Sequence, residues 1–134
     1  MAFHPRLDVS YVLNELDNTL GVYALDASTG GLALLQNAGS TIPADYAAPP
    51  PFDFYTASSH AAGIAVSPDG KWVLCTNRGH DSVVAFAVED EDKGTVAAPR
   101  PEHFTPTAGA LPWHCDFISP TQLAVTTQVR TPTG

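Results

Sequence analysis

The stretch "SPDGKWVLCTNRGHDSVVAFAV" (Ser67–Val88) decides the reading of the fold. It holds two apolar runs, "KWVL" (Lys71–Leu74) and "VVAFAV" (Val83–Val88). Each is short, rich in Val, Leu or aromatics, and bounded by turn residues, the signature of a strand. "PDG" before the first run makes a tight turn. Between the runs lies "CTNRGHDS" (Cys75–Ser82), the turn of a hairpin. A hairpin turn uses Gly, Asn and Asp because these tolerate positive φ. It has no need of Arg78 or His80, so this turn carries two surplus functional groups.

The stretch occurs twice. "HPRLDVSYVLNELDNTLGVYALDASTGGL" (His4–Leu32) aligns with Ser67–Val96. Pro5 matches Pro68, Asn14 matches Asn77, Tyr23 matches Phe86, Ala24 matches Ala87, Leu25 matches Val88 and Gly31 matches Gly94. A third copy starts at "FISPTQLAVTTQ" (Phe117–Gln128) with a shorter first turn. In each copy the elements read as a lead-in strand ("AAGIAVSP", "CDFISP"), a second ("VSYVLNEL", "KWVLCTN"), a third ("TLGVYALD", "SVVAFAVE") and a weaker outer strand ("LALLQNAG", "TVAAPRP"). Pro99 and Pro101 suit an edge position, where no ladder N–H is required. No 3.6-residue periodicity of a helix is visible. Tandem four-stranded antiparallel units predict an all-β fold of β-propeller blades, about two and a half in number. The alternative is a small β-sandwich or meander. The expected blades span about 3–39, 60–101 and 112–134. A Pro- and aromatic-rich loop at 40–59, "STIPADYAAPPPFDFYTASS", reads as a semi-rigid surface loop or as a lid over one face.

Composition limits the partners. The 134 residues carry 14 Asp+Glu against 6 Lys+Arg, a net charge of -8. A nucleic-acid binder would show a basic face, and anionic membranes repel an acidic surface, so neither partner is expected. No run approaches the ~20 apolar residues of a membrane span, and "MAFHPRLDV" lacks the apolar core of a signal peptide. Cys75 and Cys115 make no disulfide framework and read as buried free thiols. A reducing, cytoplasmic setting is the expectation.

Strand alternation sorts the polar residues. The turn between second and third strands lies at the same end of a blade as the connection into the next blade, and "PDG" lies at the other end. Glu15, Asp17, Arg78, His80, Asp81, His60, His103 and His114 therefore gather on one rim. His4 falls near the opposite end and reads as structural, and His103 reads as an exposed loop residue. Glu15 and Arg78 read equally well as an ion pair across adjacent blades. His80 reads equally well as a turn residue bonded to its neighbours. His and Cys spacings match no metal motif, there is no glycine-rich phosphate loop and no Gly-x-Ser-x-Gly elbow, so neither metal nor cofactor is expected.

"FHP…YVLNELDNTLGVYALDASTGGL" followed by "AVSPDGKWVLCTNRGHDSVVAFAV" resembles the lactonase seven-bladed β-propellers, which include bacterial-type 6-phosphogluconolactonases and fungal carboxy-cis,cis-muconate cyclases. The match is good from Phe3 to about Val96 and weak beyond. The resemblance implies a cytosolic enzyme that needs no metal, with a Glu in the "NE" turn and an Arg in the "NR" turn; these are Glu15 and Arg78. Trp113 and His114 stand where the family tends to place an Arg, and Gly63 where it tends to place an acid. The expected activity is hydrolysis of a sugar-acid lactone such as 6-phosphogluconolactone. The alternatives are a cyclase-like, lactone-forming enzyme and a non-catalytic propeller fragment with a binding role.

Lactone hydrolysis needs a base for the attacking water and stabilisation of an oxyanion. Glu15 is the candidate base. Arg78 is the candidate partner of a substrate anion or the oxyanion, because a guanidinium meets such groups in a planar fork. His114 is the third catalytic candidate, and His80 and His60 are candidate substrate-binding residues. The expected ligand is a small anionic lactone or carboxylate. Seven units of about 40 to 50 residues make such a ring, so this chain reads as a fragment whose two open blade edges are templates for self-association.

Overall fold

The computed structural model describes residues 1–47 and 59–129. The first blade consists of β1 (Ala2–Phe3), β2 (Val9–Asn14), β3 (Thr19–Asp26) and β4 (Gly31–Ser40), hydrogen-bonded in that order. The second consists of β5 (His60–Val66), β6 (Trp72–Arg78), β7 (Ser82–Ala87) and β8 (Phe104–Pro106), again in chain order. A third, two-stranded sheet pairs β9 (Ala110–Ser119) with β10 (Gln122–Val129). All pairings are antiparallel. The fold is all-β, as the alternating strands and turns predict. The lid reading of the 40–59 loop falls, for residues 48–58, outside the described residues.

The blades pack face to face. Tyr11 lies opposite Val22, so both side chains share one face of the first blade. With Val9 and Leu20 they meet Val73, Cys75, Val84, Phe86 and Val96 of the second blade in one buried cluster. Each fully buried side chain of this kind stabilises by about 1.5–3 kcal/mol. Polar bonds align the faces. Tyr11 Oη donates to the Gly94 carbonyl (2.8 Å), and the Gln36 amide both donates to the Val96 carbonyl (2.8 Å) and accepts from its N–H (2.9 Å). At the far end, His4 Nε2 lies 3.1 Å from the Gly70 carbonyl while its Nδ1 accepts from the N–H groups of Arg6 and Leu7. His4 is thus a structural clamp between the first turns of two blades, as its position predicts.

The outer strand of the second blade departs from expectation. The segment read as "TVAAPRP" reaches β7 only through a bridge between Val88 and Val96, flanked by Ala97 N–H donating to Ala87 O (2.8 Å). The next residue whose N–H would face β7 is 99, a proline with none to give. The ladder stops there. The chain makes a 3-10 turn over Pro101–His103 and returns as β8, pairing Phe104 with Val84 and Pro106 with Ser82. His103 is accordingly half-buried, its ring edge-on to Trp72 at 5.7 Å, and not a free loop residue.

Cys75 and Cys115 are buried free thiols, as expected. Burial pushes Cys75 up strongly and Cys115 up to about 12, so neither is a nucleophile at neutral pH. Among the described residues no helix is long and apolar enough to cross a membrane.

Candidate functional site

The rim is built by two equivalent turns. Asn14 donates to Thr19 Oγ1 (2.9 Å) across the first, and Asn77 to Ser82 Oγ (3.3 Å) across the second. The last residue of each turn is left-handed: Asn18 at φ 52° and Asp81 at φ 53°. Asn and Asp tolerate this conformation better than other non-glycine residues. Their side chains then latch the entry of the following blade. Asn18 donates to Ser59 O (2.7 Å) and accepts from Ala61 N–H (2.9 Å). Asp81 accepts from Leu111 N–H (2.7 Å). The latches place β5 and β9 beside the turns that carry the candidate residues.

Arg78 ends β6 and is only 2% exposed. Its Nη2 is ion-paired with Glu15 Oε1, its Nε lies 3.5 Å from the His60 carbonyl, and its Cζ sits 4.4 Å from the centre of the Trp113 ring. A buried guanidinium needs such partners, because desolvating an uncompensated charge is costly. Glu15 is half exposed, so its carboxylate faces both Arg78 and solvent. The ion-pair reading of these two turns is therefore the observed one. It does not remove Glu15 from chemistry, since the outer part of the carboxylate stays open.

The structure divides the remaining histidines. His60 is buried, pairs in register with Arg78, and serves it through its backbone carbonyl. His80 turns away. Its Nδ1 lies 2.7 Å from Ser82 Oγ, its ring is edge-on to Tyr46 (4.9 Å) and Phe104 (6.0 Å), and it lines a cleft of about 680 Å³ with Asp45 and Pro43. Burial there lowers its pKa below the usual histidine value, against the opposing pull of Asp81 and Asp45. His114 is exposed on β9. Cys115 reaches Leu74 O of the second blade, and Phe117 lines a groove with Trp72 and Leu74. By strand alternation, His114 and Asp116 face the opposite side, away from Arg78. The rim thus gathers Glu15, Arg78, the His60 backbone and Trp113, and leaves His80 and His114 elsewhere.

Trp113, which the sequence marks only as standing where the family tends to place an Arg, joins the rim through its contact with Arg78. Gly63, where an acid was expected, has a steric reason. A Cβ there would lie 2.9 Å from both His114 Cα and Cys115 N, so only glycine lets β5 and β9 approach this closely. Among the described residues no group of three or more His, Cys, Asp or Glu is arranged to hold a metal ion.

The family model described as "Lactonase, 7-bladed beta-propeller" matches residues 1–128. The 6-phosphogluconolactonase of Bacillus subtilis is 32% identical over 121 residues, covering 83% of this chain and 32% of the relative. A solved structure of a Lactobacillus plantarum protein superposes with a TM-score of 0.75 at 26% identity, covering 95% of this chain and 33% of that one. The Pseudomonas aeruginosa periplasmic gluconolactonase PpgL superposes with a TM-score of 0.71 at 24% identity, covering 90% and 30%; this likeness is one of fold. The chain spans between 23% and 32% of the length of the curated relatives it matches.

Proposed function

This chain belongs to the seven-bladed β-propeller lactonase family, and we propose that it carries rim chemistry for hydrolysing a sugar-acid lactone such as 6-phosphogluconolactone. The observation that carries the reading is the Glu15–Arg78 pair, which joins the two family-matched turns at one end of adjacent blades. In the reaction, water attacks the lactone carbonyl while Glu15 takes its proton. The ring C–O bond then breaks, and Glu15 returns that proton to the leaving ring oxygen to give the open hydroxy acid. Arg78, buried behind Glu15, is a positioning residue: it orients the carboxylate toward the rim.

Purified 134-residue chain is expected to hydrolyse 6-phosphogluconolactone above the spontaneous rate. Glu15→Gln, which keeps shape but loses the base, is expected to cut the excess rate by about 10²-fold or more. No excess rate from folded parent protein, checked by circular dichroism, overturns the proposal. One observation favours a second reading, a non-catalytic propeller piece with a binding role: Arg78, at 2% exposure, is not presented to a substrate anion. The same assay separates the two.

A further inference from the structure

The geometry points to Trp113 as a stacking platform for the pyranose ring of the ligand, a specificity-determining residue linked through Arg78 to the Glu15 carboxylate. The inference rests on the lactonase reading for its substrate, but on Trp113 for its evidence.

Trp113 is 47% exposed, an unusual place for the largest apolar side chain. It is held there by the backbone. On β10, Thr126 pairs with His114 and the next residue, Thr127, with Pro112. Trp113 is therefore the extra residue of a β-bulge, a device that re-aims a side chain. Two residues earlier Leu111 adopts φ 55°, a costly conformation for a leucine, and its N–H is secured by Asp81 Oδ1. Trp113 lies two residues before Cys115 and so on the side of the strand that faces the second blade, and the bulge and the secured Leu111 fix the backbone at the foot of the indole beside Arg78.

The contact with Arg78 gives the platform its orientation. A guanidinium over an indole is held by cation–π attraction. The same guanidinium holds the Glu15 carboxylate. Carboxylate, guanidinium and indole thus form one connected unit, with the base and the exposed indole placed by a single buried cation. A saturated sugar ring offers polarised C–H bonds to an electron-rich aromatic face and keeps its hydroxyls toward water. Arg78 covers one face of the indole, so a sugar ring would lie on the opposite face. An aromatic side chain reads ring shape, so the platform favours six-membered ring lactones over open-chain acids.

The test compares Trp113→Phe, which keeps an aromatic face, with Trp113→Leu, which keeps only apolar bulk. Stacking predicts a KM raised about tenfold in Trp113→Leu with kcat little changed, and a KM within about threefold of the parent in Trp113→Phe. Because the ring and not the phosphate is read, the rise should be equal for glucono-δ-lactone and 6-phosphogluconolactone. A parent-like KM in Trp113→Leu overturns the platform and leaves the lactonase reading standing. If the parent hydrolyses neither lactone, the lactonase reading fails and the platform is read by binding. In a Trp72→Phe background, Trp113 fluorescence is titrated with D-glucose 6-phosphate, a six-membered sugar ring with no lactone ester to open. A saturable change supports the platform, and no change overturns it.

Discussion

Tyr11 is fully buried between the first two blades, with its hydroxyl on the Gly94 carbonyl. Burial raises its pKa from 10.0 to about 12, because an ionised phenolate would be stranded among apolar side chains. A pKa raised by folding favours the protonated form in the native state. That contribution to stability is fully present below pH 10 and is lost as the pH rises through about 12. Urea unfolding at stepped pH should show stability falling across this window. Tyr11→Phe should cost about 1 kcal/mol at neutral pH by deleting the bond, and should flatten the alkaline fall. The tyrosine itself is plain in the sequence. Its partner, a glycine carbonyl in the next repeat, is not, because that pairing needs the two sheets to be docked.

The latches Asn18 and Asp81 operate between elements. Each combines a left-handed backbone with side-chain bonds into the next blade's first strand. Asn18→Gly should keep the turn and lose the bonds, while Asn18→Ala should lose the bonds and strain the backbone. Thermal unfolding is expected to rank parent above Asn18→Gly above Asn18→Ala, with the alanine variant about 2–3 kcal/mol below the parent. Equal stability of the two variants would mean that the turn conformation carries no cost. Both residues occupy one slot of the repeat, so alignment of the copies contains the signal for the latch. Asp81 stands on the rim by its charge, whereas the uncharged Asn18 shows its part only once the next blade is docked. Pro99 reads from the sequence as an edge residue, but only the register on β7 shows that its missing N–H ends the ladder.

Among the described residues, one face of the first blade is exposed. Phe3, Tyr23 and Leu34 lie in one cross-strand row of the first blade, on the side away from the second, and Phe3 and Leu34 are 53% and 61% exposed. Tyr23 matches Phe86, which in the second blade is fully buried against the first. The repeat therefore gives this face the position that Phe86 holds against the first blade. For the isolated chain, a second copy packed head to tail is expected to cover it. Light scattering behind size exclusion is expected to give a mass above the monomer that rises with concentration, and Leu34→Asp is expected to return it to the monomer. A parent that is monomeric at every concentration would rule this out.

The all-β blades, their inner strands and the two-turn rim follow from the sequence alone, because period-2 alternation and turn chemistry act within a few residues of each other. The Glu15–Arg78 pairing was legible as one of two alternatives for the same reason: both occupy the same slot of a repeat. Which functional groups meet was decided only in three dimensions. His80 and His114 share the rim by strand-end position, yet one turns into an outer cleft and the other lies on the far face of its strand. Trp113 meets Arg78 only once β9 docks on the second blade. Local pattern sets where a residue stands along a strand. Register, bulges and blade-on-blade packing set where its side chain points, and those depend on contacts between residues far apart in the chain.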